Sequence, residues 1–142
     1  MEYTKAILWA AKAVKIPSSL LLAVCIHESG LHNTVTPYDG NTPTYGVCQV
    51  KLSTAQSLGF EGTSDDLMVP GINAYWAATY LKKQMARYDG DWCKAVAAYN
   101  AGTYNESQVE PGHPRNLKYV RGVQRELAST LRPRLSCPRR KS

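Results

Sequence analysis

The most constraining feature of the chain is an apolar run, Leu20-Leu-Leu-Ala-Val-Cys-Ile26, that ends two residues before the acidic residue Glu28. Pro17-Ser18-Ser19 supplies a helix start, so the sequence predicts a helix from about Ser18 to Ser29. A helix that is apolar nearly all round belongs in a protein interior, with neighbours on every side. The rest of the fold must therefore surround this helix.

Amphipathic periodicity elsewhere predicts a mainly α-helical single domain. Helices are expected over about the first fifteen residues, Leu52 to Leu58, Pro70 to about Tyr88, Trp92 to Ala101 and about Pro114 to Leu131. Between Gly30 and Tyr45 the helical period is lost, which indicates a long loop or a short hairpin around Asp39-Gly40. No run of about 18 uninterrupted apolar residues is present, so no transmembrane helix is expected.

The charge distribution divides the chain into a folded domain, residues 1–131, and a basic tail, residues 132–142, that is expected to be disordered. The tail contains five basic side chains and no acid, whereas the rest of the chain is close to neutral. The tail predicts attraction to an anionic envelope polymer, with a solubilising end as the alternative. Because the excess charge is confined to a tail with little aromatic interleaving, no nucleic acid partner is expected. We expect a monomer.

The four cysteines, Cys25, Cys48, Cys93 and Cys137, form no C-x-x-C pair, which argues against a zinc site or a thioredoxin-like centre. Two disulfides are possible. However, the N-terminus opens an amphipathic pattern that does not resemble a signal peptide, and this favours free thiols. We assign no metal and no cofactor.

Glu28 is the candidate general acid. Leu21, Cys25 and Glu28 fall at i, i+4 and i+7, so the carboxyl group shares a helical face with core residues. Burial and the helix C-terminus should both raise the pKa of this carboxyl group. The alternative is a glutamate that turns out to solvent. Asp39 is the plausible second acid, but an Asp-Gly turn explains it fully, which favours a mechanism that needs one carboxylate.

Ordered motifs then resemble the soluble lytic transglycosylase family, whose catalytic domain has a goose-type lysozyme fold. The matching elements are Glu28-Ser29, Gly46-Val47-Cys48-Gln49, Ala98-Tyr99-Asn100-Ala101-Gly102 and, in the terminal helix, Tyr119. The family has Leu-Met where this chain has Val47-Cys48, and Thr36 is the candidate for a serine that the family carries in the preceding loop. The resemblance covers roughly Ala6 to Leu131.

The resemblance implies cleavage of the β-1,4 bond between N-acetylmuramic acid (MurNAc) and N-acetylglucosamine (GlcNAc) in peptidoglycan, with formation of a 1,6-anhydro ring. Glu28 would be the catalytic acid and base, Tyr99 would donate a hydrogen bond to it, and Ser29 would orient it or bond the preceding turn. The candidate substrate-binding residues are Gly46, Gln49, Asn100, Tyr119 and Thr36. Loop bracing is the alternative for Gln49 and Asn100, a tight turn for Gly46, and packing for Tyr119. For Tyr99 the alternative is an ordinary buried tyrosine anchored at a helix end.

Two other functions remain open at this point. A goose-type lysozyme would hydrolyse the same bond with a water activated by Asp39, and a noncatalytic wall-binding or virion structural module would keep only the fold. Without a recognisable signal peptide, a phage-encoded enzyme is expected, either a lysin released from the host cytoplasm at lysis or a wall-degrading enzyme delivered with a virion. It would act in the periplasm or at the bacterial cell wall.

Overall fold

A computed structural model describes residues 2–38 and 41–130, and these residues form a mainly helical domain, as predicted. The elements are α1 (Glu2–Val14), α2 (Ser18–Ser29), β1 (Val35–Tyr38), β2 (Asn41–Tyr45), α3 (Leu52–Ser57), α4 (Pro70–Arg87), α5 (Trp92–Ala101) and α6 (Leu117–Thr130). A 3-10 turn, Asp66–Met68, precedes α4. The predicted basic tail, Cys137 and Asp39 lie outside the described residues.

Helix α2 lies in the interior, as its apolar sequence predicts. Its side chains from Leu20 to Cys25 are buried except for Leu22, and the helix contacts α1, α4 and α6. The helix ends because Gly30 adopts a left-handed conformation (φ 66°) and its N–H donates to the carbonyl of Ile26 at 2.7 Å. The last turn therefore brings Glu28 to the edge of the core.

The long segment after α2 contains the expected hairpin. Strands β1 and β2 are antiparallel, with Val35 opposite Tyr45 and Thr36 opposite Thr44. The register shifts between Thr36 and Tyr38, where Pro37 has no N–H to contribute to the ladder. Beyond β2 the backbone groups of Tyr45 and Val50 exchange two hydrogen bonds of 2.9 Å, which closes the turn of residues 46–49.

The remaining helices complete the shell around α2. Helix α1 packs along α4, and α5 contacts both α4 and α6. Helix α6 begins at Leu117, so the start predicted at Pro114 is wrong. Residues 105–115 form a closed loop, in which the N–H of Arg115 donates to the carbonyl of Asn105 at 2.7 Å. The apolar side chains of Val120, Val123 and Leu127 on α6 are buried; Leu131 lies outside the described residues.

No helix among residues 2–38 and 41–130 is both long and apolar enough to cross a membrane.

Candidate active site

Glu28 is half-buried in the wall of a cleft of about 350 Å³. The side chains and backbone that line this cleft come from α2, the segment from Thr44 to Thr54, α4 and the end of α5: Glu28, Thr44, Gln49, Val50, Lys51, Thr54, Tyr80, Tyr99, Asn100, Ala101 and Gly102. Burial raises the pKa of Glu28 from 4.5 to about 7, against the opposing effect of a hydrogen bond from Tyr119. The carboxyl group is thus poised to hold a proton near neutral pH, in the direction that the sequence predicted.

Tyr119 is the phenol that contacts the acid. Its hydroxyl group donates to Oε2 of Glu28 at 2.6 Å, from the first turn of α6. The ring of Tyr119 meets the ring of His27 edge-on, with centroids 5.0 Å apart. One turn further along α6, Gly122 lies so close to His27 that any side chain there would overlap the imidazole. Gly122 therefore permits the close approach of α6 to α2 that brings Tyr119 to Glu28.

Tyr99 occupies a different place from the one predicted. Its hydroxyl group donates to the backbone carbonyl of Cys48 at 2.8 Å, so the predicted hydrogen bond from Tyr99 to Glu28 is wrong. The side chain is buried at the floor of the cleft, and its ring contacts that of Tyr80 with centroids 5.2 Å apart. Burial raises the pKa of Tyr99, and the nearby charge of Glu28 raises it further. Tyr99 therefore stays a neutral hydrogen-bond donor that anchors the turn of residues 46–49.

That turn is also anchored to the end of α2, on both sides of Glu28. The hydroxyl group of Ser29 donates to the carbonyl of Val47 at 2.6 Å, with a longer contact of 3.3 Å to the carbonyl of Cys25. Cys25, one turn before Glu28, forms a disulfide bond with Cys48. Cys93 is also disulfide-bonded, so the expectation of free thiols is wrong. Of the two roles predicted for Ser29, the structure supports bonding to the backbone.

Asn73 holds the same turn from the opposite side and was missed by the sequence analysis. Its side chain is fully buried; its amide nitrogen donates to the carbonyls of Tyr45 and Leu67 at 2.7 and 2.9 Å, and its amide oxygen accepts the N–H of Cys48 at 2.8 Å. Gly46 (φ 82°) packs directly on this amide, and a side chain at position 46 would overlap it. Gly46 thus permits a tight turn and a close approach to Asn73, which agrees with the tight turn given as its alternative role in the sequence analysis.

Gln49 lines the cleft, but its amide group is used inside the loop. The amide nitrogen donates to the carbonyls of Thr34 and Gly46 at 3.1 and 2.9 Å, and the amide oxygen accepts the hydroxyl group of Thr44 at 2.6 Å. These bonds hold Gln49 in the left-handed region (φ 54°), which is strained for a residue with a side chain. Gln49 therefore shapes the cleft by bracing its wall. Thr44, buried beside it, was not singled out in the sequence.

Asn100 and Thr36 differ in whether they line the cleft that contains Glu28. Asn100 lines the cleft, and its side-chain oxygen accepts the amide of Asn116 at 2.9 Å, so it braces the start of α6. Thr36 lies in β1 opposite Thr44 and is not among the residues that line the cleft. Of the predicted site residues, Glu28, Gln49, Tyr99 and Asn100 line one cleft together with Thr44. Ser29, Thr36, Gly46 and Tyr119 are not among the lining residues.

The chemistry of the site defines a class of enzyme. A single carboxyl group with a pKa near 7 faces an open cleft, and no second carboxylate is present among the described residues that line it. Enzymes that hydrolyse glycosidic bonds with two carboxylates place both beside the scissile bond. The described lining thus offers one proton donor to whatever occupies the cleft, an arrangement suited to a reaction that needs a single acid.

Comparison with known proteins identifies the family. The family model described as "Transglycosylase SLT domain" matches residues 5–118. The chain is 32% identical over 119 residues to Protein IpgF of Shigella flexneri, which covers 82% of this chain and 74% of IpgF. It is 32% identical over 116 residues to the peptidoglycan transglycosylase gp16 of Escherichia phage T7, covering 80% of this chain and 8% of that protein.

Two solved structures share the fold. The lytic transglycosylase Slt of Pseudomonas aeruginosa superimposes with a TM-score of 0.63 at 24% identity, covering 69% of this chain and 16% of that one. The 70 kDa soluble lytic transglycosylase of Escherichia coli gives 0.62 at 20% identity, covering 89% and 19%. The chain thus spans only a small part of the phage protein and of these two enzymes.

The chain belongs to the transglycosylase SLT domain family. This result confirms the family indicated by the motifs and the predicted lysozyme-like fold class. It identifies the chain as a lytic transglycosylase enzyme, and it does not favour the goose-type lysozyme alternative.

Proposed function

We propose that the cleft cleaves the β-1,4 bond between MurNAc and GlcNAc in peptidoglycan, with Glu28 as both acid and base. The observation that carries the proposal is the carboxyl group of Glu28, whose pKa of about 7 lets it donate a proton and later accept one at the same pH. The family assignment supports the reaction class. The absence of a second carboxylate from the described lining of the cleft supports a mechanism without an enzyme nucleophile.

In the first step, protonated Glu28 donates its proton to the oxygen that links the two sugars. The C1–O bond of MurNAc breaks, and the GlcNAc side leaves as an alcohol. The oxygen of the sugar's own 2-acetamido group stabilises the positive charge at C1. No protein side chain needs to attack the sugar in this scheme, in agreement with the single acid in the described lining.

In the second step, the Glu28 carboxylate removes the proton from the C6 hydroxyl group of the same MurNAc unit. The C6 oxygen attacks C1 and closes the 1,6-anhydro ring, which regenerates protonated Glu28. Because the attack is intramolecular, it gains from proximity and needs no bound water. Between the two steps Glu28 is anionic, and the hydrogen bond from Tyr119 at 2.6 Å stabilises that anion.

The other predicted site residues divide into two roles in this proposal. Ser29, Gly46 and Tyr99 position the turn of residues 46–49 against the end of α2. Gln49 and Asn100 form cleft walls that a sugar would contact, although their amide groups already bond within the protein. Thr36, Gly46 and Tyr119 are not among the lining residues, so the cleft supports Gln49 and Asn100 as the predicted substrate contacts.

We further propose that the enzyme acts in the periplasm or at the cell wall, in an oxidising environment. The disulfide between Cys25 and Cys48 supports this location, because such bonds persist where thiols are not kept reduced. The T7 relative supports a phage lysin or virion-delivered enzyme, whereas the IpgF relatives come from bacteria.

Contact of residues 132–142 with an anionic envelope polymer is part of the same proposal, and deletion of these residues should weaken binding to whole envelopes while sparing cleavage of purified glycan.

Product analysis tests the reaction. Purified sacculi are digested, and the released fragments are analysed by mass spectrometry, since anhydro ends lack one water relative to reducing ends. We expect anhydro ends from the wild-type chain and none from Glu28→Gln. Predominantly reducing ends, lost on Asp39→Asn, would instead support hydrolysis, and unchanged wall clearing by Glu28→Gln would support a noncatalytic module.

A further inference from the structure

Among the described residues that line the cleft, Lys51 is the one cation, and it has no part in the proposed acid–base chemistry. Lys51 is exposed and lines the same cleft as Glu28, directly after Val50 and before the start of α3. Its backbone is fixed on both sides. Val50 exchanges two hydrogen bonds of 2.9 Å with Tyr45, and the carbonyl of Lys51 accepts the N–H of Ala55 at 3.1 Å. The side chain therefore starts from a defined point on the cleft wall.

The charge of the cleft depends on Lys51. Among the described residues that line it, Glu28 and Lys51 are the charged side chains, and Lys51 is the basic one. Glu28 begins the proposed reaction protonated, and a protonated carboxyl group is neutral. At that moment the described part of the lining carries one positive charge, on Lys51, which favours an anionic group of the substrate nearby.

The two sugars of peptidoglycan differ in such a group. GlcNAc is neutral, whereas MurNAc carries a lactyl ether on O3 that ends in a carboxylate or, when a stem peptide is attached, leads to the carboxylates of that peptide. A lysine ammonium on a flexible four-carbon stem suits a carboxylate whose position varies, because it binds as a point charge with three rotatable donors. We infer that Lys51 binds a carboxylate carried on the lactyl branch of MurNAc and thereby selects MurNAc-containing glycan over neutral glycan.

This inference rests on the proposed function, and it is tested by binding, not by turnover. The Glu28→Gln background prevents cleavage and keeps position 28 neutral. Affinities are measured by calorimetry for three hexasaccharides: a stem-free MurNAc–GlcNAc oligomer with lactyl carboxylates, the same oligomer with stem peptides, and neutral chitin hexasaccharide. Lys51→Met should weaken binding of a carboxylate-bearing oligomer about fivefold at low salt, the upper end for an exposed ion pair. The loss should shrink as salt screens the charges.

Matched variants keep the result interpretable. Lys51→Arg retains the charge and should retain most of the affinity, and Lys12→Met on the outer face of α1 removes an equal charge away from the cleft lining. Binding of chitin hexasaccharide should be unchanged by Lys51→Met. A loss confined to the stem-free oligomer identifies the lactyl carboxylate as the ligand, a loss confined to the stem-bearing one identifies the peptide, and a loss in both means that Lys51 reaches either.

Two results would overturn the inference. One is equal affinity of the Lys51→Met and parent proteins for both carboxylate-bearing oligomers. The other is an equal loss for chitin hexasaccharide, which would mean that the substitution disturbs the wall of the cleft. Failure of the proposed function has a different signature, since the wild-type chain would then release no anhydro ends from sacculi whatever the residue at position 51.

Discussion

Tyr119 and Glu28 are 91 residues apart in sequence and share a hydrogen bond of 2.6 Å. The bond joins the first turn of α6 to the last turn of α2, so the protonation of the acid depends on how these two helices pack. A hydrogen bond donated to a carboxylate favours its charged form, while burial favours the neutral form. The pKa of about 7 is the balance of these two effects.

Replacing Tyr119 by phenylalanine should therefore raise the pKa of Glu28 further. Glu28 must be protonated to start the reaction, so the rate should fall as pH rises through this pKa, and in Tyr119→Phe this falling limb should lie at higher pH. The rate at the optimum should drop about tenfold or more, because a bond to a charged group is lost. A pH–rate profile on soluble glycan measures both effects.

Tyr99→Phe is the control for this experiment. It removes a hydroxyl group that donates to the Cys48 carbonyl and not to Glu28. Its falling limb should stay close to that of the wild type. If Tyr99→Phe moved the limb and Tyr119→Phe did not, the role given to Tyr119 would be wrong.

The raised pKa also makes stability depend on pH. The folded-state pKa of Glu28, about 7, lies above the ordinary glutamate pKa of 4.5, so the folded protein binds more protons between these two pH values than the unfolded chain does. The free energy of unfolding should therefore decrease as pH rises from about 4.5 to above 7, by at most about 3 kcal/mol and by less to the extent that water reaches the carboxyl group.

Glu28→Gln removes this dependence and provides the measurement. Urea unfolding at pH 5 and at pH 8 should show the variant gaining stability relative to the wild type at the higher pH. Glu110→Gln, on the exposed loop before α6, serves as a control for the loss of one negative charge. A stability difference between Glu28→Gln and the wild type that is the same at both pH values would contradict the proposed desolvation of Glu28.

Local signals in the sequence were sufficient for the helices and for the position of Glu28 at the end of α2. The apolar run predicts that α2 lies in the interior, and the family motifs contain residues of the segments that line the cleft. Asn73 and Gly122 gave no comparable signal, because an asparagine or a glycine in a helix is ordinarily read as a weak helix former. Their importance depends on what lies opposite them, the turn of residues 46–49 and His27, and single-helix periodicity does not specify such pairings.

The sequence pattern also does not specify which tyrosine hydroxyl group bonds to Glu28. Tyr99 is the residue expected to donate to Glu28, and Tyr119 is expected to contact the substrate or to pack in the core. In the structure Tyr119 donates to Glu28, and Tyr99 donates to the carbonyl of Cys48. Which hydroxyl group reaches the carboxyl oxygen depends on the rotation of α5 and α6 about their axes, set by distant contacts such as that of Gly122 with His27. The N-terminal sequence favours free thiols, and nothing in the local pattern shows that Cys25 and Cys48 lie beside each other in the folded chain.

Removing the disulfide between Cys25 and Cys48 should lower both stability and activity. The double variant Cys25→Ala/Cys48→Ala loses a cross-link between residues 23 apart, which is expected to cost about 3 kcal/mol. The turn of residues 46–49 would still be held by Ser29, Asn73 and Tyr99, so the fold should persist while the turn becomes more mobile. Thermal unfolding and turnover of soluble glycan measure the two losses.

Mild reduction distinguishes the effect of the Cys25–Cys48 bond on activity from the effect of the disulfide that includes Cys93. A dithiol reductant should lower the activity of the wild type towards that of the double variant and have a smaller effect on the double variant itself. Equal losses of activity in both proteins would assign the effect to Cys93 instead.

Gly122→Ala tests whether helix packing sets the chemistry. A methyl group at this position would overlap the imidazole of His27, so α6 must move away from α2 or His27 must change its rotamer. Overpacking of this kind typically costs about 1–3 kcal/mol. Because Tyr119 lies one turn away on α6, its bond to Glu28 should lengthen, and the turnover rate should fall more than the stability loss explains at a temperature where the variant is fully folded.

Gly71→Ala is the matched control: Gly71 lies in the first turn of α4, and a Cβ there meets nothing within 4 Å. That variant should keep full activity and gain slightly in stability, because alanine is the better helix former. Wild-type activity in Gly122→Ala would mean that the approach of α6 to α2 tolerates this displacement without consequence for Glu28.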